Sequence, residues 1–192
     1  MATTCIFLPS TPNFSHSSSR STSAVTRSSL TDQSQSPAAA AKRRLLSLIS
    51  GQERGLKTQS NPQMLSQIVD AIDSLAAVGL GSVTTDESLS ATWRMLWTTE
   101  KEQLFIIKNA PIFGSAAGDV LQVIDVEKKT LNNVITFPPD GVFFVRSDIQ
   151  VASAQRVNFQ FESLYIDDEI RVVKDIRKDY LVVERAPYSW KE

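Results

Sequence analysis

The chain has 192 residues, with 20 Lys and Arg against 21 Asp and Glu and a formal net charge of −1. This length suits one domain with a real core and leaves little room for two, and the near-neutral charge gives no electrostatic reason to expect DNA or RNA binding. No apolar run approaches the ~20 residues needed to cross a bilayer as a helix, so a soluble or peripheral protein is expected.

Residues 1–41, "MATTCIFLPSTPNFSHSSSRSTSAVTRSSLTDQSQSPAAAA", are dense in Ser and Thr, and carry Arg20 and Arg27 but a single acid, Asp32. Such a segment buries too little apolar surface to fold alone. Ser-rich, Arg-containing and acid-poor is the composition of an organelle transit peptide, and "CIFL" is too short for the apolar core of a secretory signal. The "MA" start with hydroxylated residues favours a plastid; the alternative is a disordered regulatory tail. Cleavage is expected between Ser36 and Lys42. It removes the only Cys, Cys5, and the only His, His16. A mature chain without them has no Cys nucleophile, no Ser-His-Asp triad and no zinc site built on Cys or His. It can form no internal disulfide, and neither glycine-rich phosphate-binding pattern occurs. No cofactor and no metal is expected, and an enzyme here would have to work with carboxylates, Lys, Tyr or Ser.

"AKRRLLSLIS", residues 41–50, predicts a short helix with Leu45, Leu46 and Ile49 on one face. Asn61 is a fair N-cap with Pro62 at the first helical position. From there Leu65, Ile68, Ile72 and Leu75 recur at helical spacing until Gly79 closes the helix. Its polar face carries Gln67, Asp70, Asp73 and Ser74. A membrane-surface helix shows cations there, so this helix is expected to pack on a domain core.

After Gly81 the texture changes to strands. "SATWRMLWTT" places Trp93, Met95 and Trp97 on one face, and "QLFIIK" reads as the next strand before the break at "APIFGSAAG". "DVLQVIDV" and "TLNNVITF" flank the turn "EKK" as a hairpin, and "GVFFVR" begins after the turn "PPDG". "RVNFQF" alternates, with Val157, Phe159 and Phe161 inward. "YIDDEIRVV" and "YLVVER" flank "DIRKD". Seven or eight short strands with no helix between them imply an antiparallel sheet closed as a barrel, or nearly so. An eight-stranded barrel can fill its interior or hold one small apolar ligand.

Asp167, Asp168 and Glu169 interrupt one of these strands. Alternation puts Asp167, Glu169 and Arg171 on one face, and Ile166, Asp168, Ile170 and Val172 on the other. Asp168 then points to the apolar side, where an unpaired carboxylate is costly. It must sit at a rim, meet a cation, or bond backbone amides at a bulge. A structural role is the first reading, a ligand or partner contact the second. A metal or acid–base site is the least favoured, because three successive acids on opposite faces do not reach one ion. The aromatic residues Trp93, Trp97, Phe137, Phe144, Phe159 and Phe161, with Phe143 beside them, are candidates to line an apolar ligand pocket or simply to fill the core.

The helical start followed by "LSATWRMLWTT", "VLQVIDVEKKTLNNVITF", "YIDDEIRVV" and "YLVVERAP" resembles the plastid lipid-associated proteins, also called plastid fibrillins. Three elements carry the resemblance across most of residues 42–192: Trp93, Met95 and Trp97; Gln122, Ile124, Asp125 and Asn132 or Asn133; and Tyr165 to Arg171. The resemblance implies a chain that is mainly β with N-terminal helices (α+β), in which residues 42–79 form the helical start and 88–192 a lipocalin-like antiparallel β-barrel. It implies a chloroplast location, at plastoglobules, at thylakoids or in the stroma, and plastid lipids or prenyl quinones as ligands. It brings no catalytic residues. Trp93 resembles the Trp that plugs one end of lipocalin barrels beside an Arg, here Arg171 or Arg185. In one respect the sequence departs from the family. A "PPFG…GWF"-like run usually precedes the acidic strand, whereas here "RVNFQFES" joins "LYIDDEI" directly. An incomplete barrel with an exposed edge is expected at this junction.

The leading expectation is therefore a non-enzymatic chloroplast protein that binds or organises lipids. It associates peripherally with a membrane or lipid particle and has no nucleic-acid partner. The alternative is a scaffold for a plastid enzyme or photosynthetic complex with no ligand of its own.

Overall fold

The computed structural model describes residues 5–7, 36–157 and 161–191. Two helices lead the domain. Helix α1, Pro37–Ile49, starts where Ser36 Oγ accepts the Ala39 amide, five residues before Lys42. Helix α2, Pro62–Val78, starts where Asn61 Oδ1 accepts the Met64 amide at 3.0 Å. Each cap satisfies an amide that has no partner within its helix. Gly79 ends α2 with an ordinary φ of −82°. Its requirement is space: a Cβ there would meet Leu164 O at 3.1 Å and Tyr165 Cδ2 at 3.3 Å. Between the helices, Gly55 has φ +112° and leaves no room for a Cβ against the Thr98 carbonyl. It needs both freedoms of glycine.

The strands are β1 (Cys5–Phe7), β2 (Ala91–Thr98), β3 (Val120–Asp125), β4 (Thr130–Phe137), β5 (Gly141–Asp148), β6 (Val151–Ser153), β7 (Arg156–Val157), β8 (Phe161–Ile166), β9 (Ile170–Asp175) and β10 (Tyr180–Arg185). They form one antiparallel sheet in the order β1-β5-β4-β3-β2-β10-β9-β8-β7-β6. The sheet curls into a half-barrel, with β1 and β6 at its two edges. The expected α+β, mainly β, barrel-like architecture is what the chain adopts. Most of the segment read as a transit peptide lies outside the described residues; within it, Cys5–Phe7 pair with Phe143–Val145.

The two faces of the sheet carry separate cores. Inside the curl lie Trp93, Met95, Val120, Ile124, Leu131, Ile135, Val173, Leu181 and Val183. On the outer face of β2, β9 and β10, helices α1 and α2 bring Leu45, Ile49, Ile68, Ile72 and Leu75 against Trp97, Ile170, Val172 and Val182. A small third core joins Leu121, Val134, Val142 and Phe144 under Trp190.

Five sequence expectations are corrected. "QLFIIK" is not a strand but most of helix α3, Lys101–Asn109. β2 already pairs with β3 and β10, so no place in the sheet is open there. As a helix, the segment buries Leu104 and sets Ile107 against the interior. This also corrects the expectation of strands with no helix between them. "RVNFQF" is not one strand: Arg156–Val157 belong to one strand and Phe161 to the next, and the two pair antiparallel, Arg156 with Glu162 and Val157 with Phe161. Trp97 does not share a face with Trp93 and Met95. The register against β10 shifts between Val182 and Val183, which pair with Trp97 and Met95. The extra residue, Leu96, forms a bulge that turns Trp97 outward. Finally, Tyr165–Val173 is a hairpin, β8–turn–β9, whose turn is Asp167–Glu169.

Candidate functional site

The acidic turn closes one end of the curled sheet. Asp167 Oδ1 accepts the amides of Glu169 and Ile170, both at 2.8 Å. This is the local side-chain-to-backbone bonding that makes Asp a turn residue. Its Oδ2 accepts Lys42 Nζ at 2.7 Å and the Tyr165 hydroxyl at 2.9 Å. Lys42 also bonds Glu169 at 2.6 Å, so α1 is tied to the turn. Burial alone would raise the Asp167 carboxyl, but Lys42, the two amides and Tyr165 outweigh it and hold it below the usual carboxylate range. Asp167, Glu169 and Arg171 are therefore not one face of a strand. Arg171 lies beyond the turn and points inside.

Trp93 stands at the same end. It is fully buried, its Nε1 donates to Leu89 O at 3.0 Å, and the Arg185 guanidinium carbon lies 4.6 Å from its ring centre. Arg185 also donates to Asp168 O and Ser88 O. Of the two candidate cations, Arg185 is the one beside Trp93. Asp168 takes part through its backbone, with its side chain exposed. The acids thus build the plug of this end.

The other end holds a cavity. One part, of about 330 Å³, is lined by Glu100, Gln103, Gln122, Leu131, Asn133, Phe161, Arg171, Val173 and Leu181, and opens beside Asp175–Asp179. A second part, of about 230 Å³, has walls that include Met95, Ile106, Val120, Ile135, Phe143, Leu181 and Val183. The two share Gln103, Gln122, Asn133 and Leu181. The second part is mainly apolar and the first is mixed, and a polar chain runs between them: Arg171 Nη1 donates to Gln122 Oε1 at 3.0 Å, and Gln122 Nε2 to Asn133 Oδ1 at 3.1 Å. Arg171 is fully buried, and burial pushes its guanidinium down to about 9. At the mouth, burial and the nearby Asp175 push the Glu100 carboxyl up to about 6. Gln103 Nε2 donates to that carboxyl.

The sequence candidates divide accordingly. Phe161 lines the cavity, and Phe137 packs against the interior core. Phe143 lines the apolar part. Trp93 belongs to the plugged end. Trp97 lies under the helices, where its Nε1 meets Thr58 Oγ1 at 3.3 Å. Phe144 packs on Trp190 outside the sheet, with ring centres 5.8 Å apart. Phe159 lies outside the described residues. Asp125 caps the β3–β4 turn, accepting the Lys128 amide at 2.8 Å and its ammonium at 2.7 Å. Gln122, Asn133 and Gln103 were missed as a set. The signal was present: Gln122 stands at an inward position between Val120 and Ile124, and Asn133 between Leu131 and Ile135. Among the described residues no group of three or more His, Cys, Asp or Glu is placed to hold a metal ion. No helix among them is long and apolar enough to cross a membrane.

The PAP_fibrillin family profile matches residues 39–167. A curated protein of Arabidopsis thaliana, named "Probable plastid-lipid-associated protein 11, chloroplastic", is 60% identical over 178 residues, which cover 81% of this chain and 84% of the relative. No solved structure matches the chain significantly. With a family profile across most of the domain and a relative this similar over most of both lengths, the chain belongs to the PAP_fibrillin family.

Proposed function

We propose that this protein is a non-enzymatic, lipid-binding or lipid-organising protein of the chloroplast that encloses one apolar molecule inside its curled sheet while docked at a plastoglobule or thylakoid surface. The observation that carries this reading is the apolar part of the cavity, whose walls are largely Val, Leu, Ile, Met and Phe, beside a part lined by polar and charged residues. Apolar walls with a few convergent polar groups are what a lipid or prenyl quinone site needs. The PAP_fibrillin profile and the plastid-lipid name of the Arabidopsis relative support the compartment and the ligand class. Residues 1–41 are read as the transit peptide that delivers the domain.

The test is to purify the full chain from a chloroplast lipid extract, extract the folded protein with organic solvent, and identify what it carried. One lipid or prenyl quinone at near one-to-one stoichiometry is expected. A folded chain that carries nothing and binds neither liposomes nor lipid droplets would refute the reading.

A scaffold role has one observation in its favour. Phe105 and Ile112, on α3 and the turn after it, are exposed by 68% and 79%. Phe105→Asp with Ile112→Asp would release a plastid protein held there, as read in a pull-down, and leave lipid content unchanged.

A further inference from the structure

Arg171 is a cation enclosed without a counter-ion. Its Nε donates to Ser163 Oγ at 3.3 Å and its Nη1 to Gln122 Oε1, both neutral acceptors, and its Nη2 has no hydrogen-bond partner among the described residues. Among the described residues no carboxylate lies within ion-pair distance of it. The acids that line the same cavity, Glu100, Asp175 and Asp179, are engaged elsewhere. Asp175 bonds Arg177 at 3.1 Å and the amides of Arg177 and Asp179. Asp179 accepts the Thr99 hydroxyl, and Glu100 the Gln103 amide. A buried charge with an unmade hydrogen bond is among the most costly arrangements in a protein interior. Proteins keep one where something else supplies the partner.

The surroundings say what the partner is. A neutral carbonyl would satisfy the N–H and leave the charge. An anionic oxygen does both, in a short charge-assisted bond. One free guanidinium nitrogen and three mouth acids suit a monoanion better than a doubly charged phosphate. The two adjoining pockets, about 330 and 230 Å³, share the walls Gln103, Gln122, Asn133 and Leu181 and sit toward the small end of the ~300–1,000 Å³ typical of ligand sites. They hold one chain and not two. The polar part contains Arg171; the apolar part lies beyond the shared Gln122, Asn133 and Gln103. A second unpartnered buried atom, Gln103 Oε1, faces the same space and offers an acceptor to a hydroxyl or water beside the head.

We propose that the cavity takes a single-chain lipid ending in a carboxylate, with the head on Arg171 Nη2 and the chain in the apolar half. This rests on the reading of the interior as a lipid site and specifies its head-group chemistry.

The experiment titrates the delipidated full chain with a hexadecanoic acid, the matching alcohol, the methyl ester, a single-chain alkyl phosphate and a prenyl quinone, by calorimetry and by the rise in melting temperature. The carboxylate is expected to bind at least about tenfold tighter than the alcohol or ester, the factor expected of one charge-assisted bond. Arg171→Met should remove that preference while alcohol binding survives, and Arg171→Lys should keep part of it. The comparison among ligands needs no variant, so it stands even if Arg171→Met fails to fold. Equal binding of acid, alcohol and ester, or tighter binding of the quinone or phosphate, would overturn the head-group assignment and leave the lipid reading in place. Binding of none of the five to a folded chain would overturn both.

Discussion

The two faces of β2, β9 and β10 are built from the same kinds of residue and end in opposite states. On the outer face, Trp97, Val172 and Val182 meet two helices, and the buried residues of that cluster are all apolar apart from Tyr180, which is 9% exposed. On the inner face, Met95, Val173 and Leu181 share their space with Arg171, Gln122 and Asn133, and a cavity remains. Close packing is what a core reaches when nothing prevents it. A face that keeps both a void and a charge has a different task. The contrast separates the part of the fold that supplies stability from the part that supplies function, although both hang on the same three strands.

The largest expected effect lies on the filled face. Trp97→Ala should cost about 3–5 kcal/mol, as for other buried Trp truncations, seen as a lower urea midpoint. It should leave the affinity of the folded fraction for an interior ligand unchanged. A loss of affinity at this position would erase the distinction between the faces.

Next comes the plugged end. Asp167→Ala removes two amide bonds and the Lys42 and Tyr165 contacts together and should cost about 2 kcal/mol. The carboxyl is held below its ordinary value, so its contribution is present above the ordinary carboxylate range near 3.8 and is lost as pH falls through the lowered value. Wild type and variant should therefore converge in stability as pH falls below that lowered value.

On the open side the sign reverses. Glu100 is raised from 4.5 to about 6 in the folded chain, so its ionisation opposes folding. The penalty is absent below pH 4.5, grows between 4.5 and about 6, and is complete above. Glu100→Gln should gain up to ~2 kcal/mol at pH 7 and nothing at pH 4, measured by chemical unfolding across that range.

The smallest effect belongs to the surface. Asp125→Asn keeps a side-chain acceptor for the Lys128 amide and loses only an exposed ion pair, so the urea midpoint should stay within error of wild type.

Much of this contrast was legible in the sequence. The β3–β4 hairpin followed from alternation around a short turn, and α2 from its cap and helical spacing. Three features were hidden for physical reasons. α3 contains Phe105, Ile106 and Ile107 in a row, and a short apolar run does not distinguish helix from strand. The bulge at Leu96 reverses the face of everything after it, so alternation assigned Trp97 to the wrong core. The acidic hairpin was read as a continuous strand because β-branched residues flank it. Its turn depends on Asp167 bonding its own backbone, which the periodicity does not register. The polar chain Gln122–Asn133–Arg171 was visible only as three family-motif residues far apart in sequence. Their convergence needed β3, β4 and β9 in register.

The most direct test of the account uses two methionines, one on each face. Met95 lines the cavity, and Met64 packs in the helix-covered core. With methyl-labelled Met in the full chain, an apolar ligand is added and both resonances are followed by NMR. The account predicts that Met95 shifts and saturates with the ligand while Met64 stays in place. A Met64 shift with Met95 unmoved would mean that lipid enters under the helices and that the interior cavity is not the site.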